Sequence, residues 1–182
     1  MDLSRMTQQG MINHFREIKS RASELLMNIE TEHFNRKPSA KSWSAAECIN
    51  HLNIAAHGYL NNIPQNAVGN ISTGINEKEY EPRFLARKFI ELTGPETRIK
   101  LKAVGMSASP SRFEKNILDD FFNYQDRFSF LIERTEFDQL YSAKVISPFV
   151  RLLKFQLGEV FLMTIAHQFR HLNQAERALN RN

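Results

Sequence analysis

Two histidines, His167 and His171, stand four residues apart inside the helix-compatible stretch 158–179, GEVFLMTIAHQFRHLNQAERAL. At that spacing both imidazoles lie on one helix face, one turn apart. So placed, they can point at a single divalent ion, as in helical zinc sites, and lack only a third ligand. The pair by itself also fits two helix histidines satisfied by hydrogen bonds or water. The elements that carry the other histidines therefore decide what the pair means.

His51 is the candidate that an ordered element fixes. Trp43-Ser44-Ala45-Ala46-Glu47-Cys48 reads as a helix start. Ser44 is at the N-cap and Glu47 three residues on, a capping box in which each side chain satisfies the other residue's backbone N–H. Trp43 and Cys48 fall at the hydrophobic staple positions. The helix runs on to about residue 62, so His51 lies two turns inside it and shares a face with Ala55 and Tyr59. His57 points away, His14 flanks the stripe of the first helix, and His33 falls in a surface loop. Glu47 invites a general-base role beside His51, but the cap already accounts for it.

Four long amphipathic segments position these residues. In residues 7–30, Met11, Phe15, Ile18, Ala22, Leu25 and Ile29 recur at helical spacing, and in residues 111–135 the stripe is Ile117, Phe121, Tyr124, Phe128, Leu131 and Ile132. The other two are the His51 helix and the His167/His171 helix, which begins near Leu157. Pro38 breaks the chain after the first helix. Residues 63–81 read as a long loop, 82–92 as a short helix stopped by Thr93-Gly94-Pro95, 98–110 as irregular or extended cover, and 137–155 as a connection broken at Ser147-Pro148. Short links make neighbouring helices antiparallel, whereas the crossover of nearly fifty residues between the second and third lets those two run parallel. The expectation is a single all-α domain over residues 1–182, a four-helix bundle of up-down-down-up topology. In such a bundle His51 meets His167 and His171 across the interior.

Composition narrows the function classes. The 182 residues are 42% hydrophobic and 24% charged with 7 Gly and 6 Pro, a globular balance rather than a disordered one. One cysteine, Cys48, cannot form an internal disulfide, in keeping with a reducing cytoplasm. No stretch resembles a signal peptide or a membrane span, so a soluble, cytoplasmic protein with no membrane partner is expected. The net charge of +4 comes from cations interleaved with acids, and the one basic run, Arg98-Ile99-Lys100-Leu101-Lys102, is short. A clustered basic face with aromatic support is missing, which argues against a nucleic-acid partner.

Two stretches resemble the DinB/YfiT-like metal-binding bundles. Lys41-Ser42-Trp43-Ser44-Ala45-Ala46-Glu47-Cys48-Ile49-Asn50-His51-Leu52 is similar to the family's W-S-x-x-E-x-x-x-H-L helix start. Gly158-Glu159 through His167-Gln168-Phe169-Arg170-His171-Leu172-Asn173-Gln174 is similar to its G-E…H-x-x-R-H-x-x-Q helix. The resemblance implies the up-down-down-up bundle and a divalent metal held by His51, His167 and His171. It also implies a metal-dependent hydrolase, or a transferase or isomerase using a low-molecular-weight thiol such as bacillithiol or mycothiol; a small-molecule substrate and a homodimer are further expectations.

Three neutral imidazoles leave the ion its charge, so it acidifies a coordinated water or thiol, and imidazole suits zinc, nickel, copper and iron alike. Asn50, Glu47 and Gln174 are candidates for supporting the ligands. Nothing in the sequence marks a protein nucleophile, since Cys48 sits at a staple position and no G-x-S-x-G elbow is present. The competing reading is a non-catalytic metal-binding or stress-related interaction module with a structural or vestigial site. Three histidines without a fourth ligand favour an open site over a closed structural one.

Overall fold

The computed structural model describes residues 2–69, 75–97 and 112–180. Among these the chain is mostly helical, with seven α-helices and one small sheet: α1 Gln8–Leu26, α2 Thr31–Asn35, α3 Ala45–Asn62, α4 Phe84–Thr93, α5 Ile117–Glu133, α6 Gln139–Ser142 and α7 Leu157–Leu179, with antiparallel strands β1 Lys144–Ile146 and β2 Lys154–Gln156. The basic run 98–102 and the loop expected at 106–110 lie outside the described residues.

The long helices start where side chains satisfy their first backbone donors. Thr7 accepts from the Gly10 amide at 3.0 Å and opens α1. The capping box of α3 is formed as the sequence indicates, with Glu47 N donating to Ser44 Oγ at 3.1 Å and Ser44 N to the Glu47 carboxylate at 2.9 Å. Helices α1 and α3 each pack against both α5 and α7, and α4 lies along α7. Phe15 of α1 stacks on Phe128 of α5 at 4.8 Å, and Phe128 meets Phe161 of α7 edge-on at 6.4 Å, which centres the core. Asn53 of α3 donates to the Ile117 carbonyl at the start of α5.

Helix α4 is short, and its placement comes from α7. Glu159, fully buried, accepts four hydrogen bonds: one from the Gln156 amide at the start of its own helix, and three from the amide, Nε and Nη2 of Arg83 at the start of α4. At the other end of α4, Arg170 donates to the Leu92 carbonyl at 3.1 Å. A buried carboxylate is tolerated only with such saturation, because each unpaired charge costs several kcal/mol to desolvate. One residue earlier, Gly158 admits the ring of Tyr80, which Met6 holds by a two-way backbone bridge. A Cβ on residue 158 would stand 2.5 Å from Tyr80 Cζ.

Several expectations are corrected. Helix α1 ends at Leu26, leaving Ile29 outside it. Residues 31–35 form helix α2 rather than a loop, and His33 on it is half-buried with its Nε2 at 3.0 Å from the Leu179 carbonyl. Residues 65–67 make a single 3₁₀ turn within the expected loop. The buried face of α5 is Leu118, Phe121, Gln125, Phe128 and Ile132, with Ile117, Tyr124 and Leu131 at its margin. Gln125 lies inside with its amide donating to its own helix at Phe121 O, while its Oε1 has no partner. The connection before α7 is a hairpin whose tip seats Pro148 on Gly58 of α3, where a Cβ would meet Pro148 Cβ at 2.9 Å.

Replacing Gly158 with Ala is expected to destabilise the protein by about 1–3 kcal/mol, the usual cost of overpacking a rigid site. In a domain of this size that is a fall in Tm of very roughly 2–10 °C, measurable by differential scanning fluorimetry.

Candidate metal centre

His51 projects from the second turn of α3, and His167 and His171 from successive turns of α7. The packing of α3 on α7 brings the three rings together, with one ligand atom from each lying within 4.8 Å of the others. Ring centroids are 4.9 Å apart for His51 and His167, 4.7 Å for His51 and His171, and 4.6 Å for His167 and His171, all edge to face. The Nε2 atoms of His51 and His167 are 3.1 Å apart. Two nitrogens bound at 2.0–2.1 Å to one tetrahedral ion stand about 3.3 Å apart, so the pair already has the spacing a shared ion needs. Without an ion the same distance serves a hydrogen bond between neutral imidazoles.

Burial sets the charge state. It lowers the pKa of His51 to about 4 and, with the positive charges of His51 and Arg170 adding to it, that of His171 to about 3, a contact from Gln174 pulling the other way. His167 is held well below its ordinary value, by burial first and then by the two neighbouring rings and Arg170. All three rings are therefore neutral at pH 7 and offer lone pairs. His171 Nδ1 is buried with no hydrogen-bond partner, an orphaned atom of the kind a ligand site leaves in its apo form. Among the described residues no cysteine or carboxylate joins the group.

The remaining candidates separate cleanly. Glu47 is occupied by the cap and by Lys37 at 2.7 Å, and no hydrogen bond links Asn50 to any of the three rings. His14 pairs with Glu17, and His57 with Asn61 and Tyr124, both away from the cluster. Sequence reasoning placed Trp43 at the staple and in the family-like helix start, without a tie to the histidines, whereas its indole lies against both His51 and His171. It also left Glu159 and Arg170 without roles, and these two residues fix α4. The signal for Arg170 was present in its spacing, three residues after His167, which turns it toward the flank of the histidine face.

The lowered pKa values have a sign for stability. An unfolded histidine takes up its proton near pH 6.5, while His51 and His171 stay neutral until about pH 4 and about pH 3, and His167 is held well below its ordinary value. Between those values the unfolded chain binds more protons, so stability of the metal-free protein is full above pH 6.5 and is lost as pH falls. The loss is at most about 1.4 kcal/mol per pH unit for each ring. A His171→Gln variant is expected to show a shallower decline in Tm between pH 6.5 and 4 than the parent chain; parallel curves would contradict it.

The model of one family, the DinB superfamily, matches residues 14–175, a span that contains all three converging histidines and both stretches that resemble the family. No curated protein and no solved structure matches the chain. On that match, extending over nearly its whole length, the chain belongs to the DinB superfamily.

Proposed function

We propose that this chain is a metal-dependent enzyme in which His51, His167 and His171 hold one divalent ion, and that it works as a hydrolase or as an S-transferase using a low-molecular-weight thiol. The observation that carries the reading is the convergence of three neutral imidazoles from two helices, with His51 and His167 116 residues apart in the chain. The donor set fits zinc, nickel or iron, and three ligands leave a position open. When bound there, the ion supplies a Lewis acid that lowers the pKa of a coordinated water or thiol.

The chain's own groups have narrower tasks. The three rings present lone pairs without having to lose protons, so binding carries no proton penalty at neutral pH. Buried walls around His51 and His171 exclude water and strengthen charge interactions within the site. Cys48 is buried in the first turn of α3, and burial pushes its thiol far above the ordinary cysteine range, which leaves it unsuited to act as a nucleophile. The single buried cysteine also suits a cytoplasmic location. Among the described residues no helix is long and apolar enough to cross a membrane.

The same reading takes the bundle as up-down-down-up. Contacts advance in one sense along α1 and α7, from His14 with Phe169 to Arg21 with Glu176, and along α3 and α5, from Asn53 with Ile117 to His57 with Tyr124. Along α1 and α5 they run in opposite senses, from Phe15 with Phe128 to Lys19 with Asp126.

Metal analysis of protein purified without a histidine tag is expected to give one divalent ion per chain. His167→Ala should weaken metal binding beyond the 10–100-fold typical of losing a supporting residue, and should abolish turnover in a screen of thiols with electrophiles and of hydrolysable substrates. Cys48→Ala should leave turnover largely intact. If His167→Ala only lowers Tm and no activity emerges, the site is structural and this reading fails.

A further inference from the structure

Among the three rings the only hydrogen bond joins His51 to His167, and His171 is held instead by a side-chain contact from Gln174 and by packing against its ring face. Its imidazole lies nearly parallel to the indole of Trp43, with centroids 5.5 Å apart and planes at 22°. The same indole leans on His51 at 5.1 Å and 57°. Among the described residues, Trp43 is therefore the aromatic side chain outside the three histidines that touches candidate ligands on both helices. Its own position is set by the residues that follow it: Ser44 and Glu47 close the capping box, and Lys37 ties Glu47 from outside. A rigid backbone thus presents a flat apolar face to two rings that must not swing.

The geometry points to Trp43 as a positioning residue for the metal centre: its stacked indole holds His51 and His171 in convergent orientation before any ion arrives, so that metal affinity depends on an aromatic face that donates nothing to the ion. This rests on the reading of the three histidines as metal ligands. The physical basis is preorganisation. An imidazole free to rotate about χ1 and χ2 loses that freedom on binding, and a ring already stacked has lost it beforehand. Aromatic faces serve this purpose without competing for the metal.

The test titrates zinc alone into the metal-free chain by calorimetry, comparing the parent protein with Trp43→Phe and Trp43→Leu, with the melting temperature of each apo variant measured alongside. Leucine keeps apolar bulk but has no ring face. Zinc affinity is expected to fall about tenfold or more in Trp43→Leu, in line with other supporting residues of metal sites, and to stay within about threefold of the parent in Trp43→Phe, which can still stack. The apo melting temperature should not track these affinities. Because Trp43 is the only tryptophan in the chain, cobalt(II) should also quench the parent protein's tryptophan fluorescence with the same midpoint as its binding. Equal zinc affinity in Trp43→Leu and the parent would overturn the proposal while leaving the metal centre standing. Equal losses in Trp43→Phe and Trp43→Leu would also overturn it, since stacking would then not be the cause. A parent chain that binds neither ion would overturn the metal centre itself.

Discussion

Three imidazoles can share one desolvated pocket only while none of them carries a second proton, and the packing of α3 on α7 imposes that condition. Burial, more than any single neighbour, depresses all three pKa values. A charge placed on any one ring would have to be desolvated there, so the cluster is stable as neutral donors or as ligands to a cation. Everything else that fixes α3 and α7 therefore also governs what the site can accept.

Two devices do that fixing. At the start of α3 the capping box sets the backbone, and through it the direction in which Trp43 and His51 face. At the start of α7, Gly158 and Glu159 seat Tyr80 and Arg83, and Arg170 secures the far end of α4. Residues near the histidines in sequence thus act through packing and capping, and only the imidazoles offer themselves to an ion. The division matters for interpreting variants, because loss of Glu159 or Gly158 perturbs the site by moving helices rather than by removing a donor.

Much of this was legible in the sequence where local rules dominate. The capping box at Ser44, the start and end of α7, and the shared face of His167 and His171 follow from spacing and cap chemistry alone. The convergence of His51 with that pair needed topology, and the long crossover together with family resemblance supplied it. What escaped was set by distant partners. The hairpin of β1 and β2 consists of two strands of three residues, too short to carry a periodic signal, and its tip is defined by the bare surface of Gly58. Gln125 takes the place of Tyr124 on the buried face of α5 with its amide bonded to its own helix, a contact that hydrophobic patterning does not register. Arg83 and Glu159 are 76 residues apart, and no spacing rule links them.

The central claim is that three histidine nitrogens, and no other protein group, form the metal site. X-ray absorption at the metal edge, on tag-free protein loaded with one equivalent of zinc, addresses it most directly. The account predicts a first shell of nitrogen and oxygen at about 2.0–2.1 Å with the multiple-scattering signature of three imidazoles and no sulfur at about 2.3 Å, and loss of one imidazole in His51→Ala. A shell with fewer than three imidazoles in the parent chain, or one unchanged by His51→Ala, would contradict it.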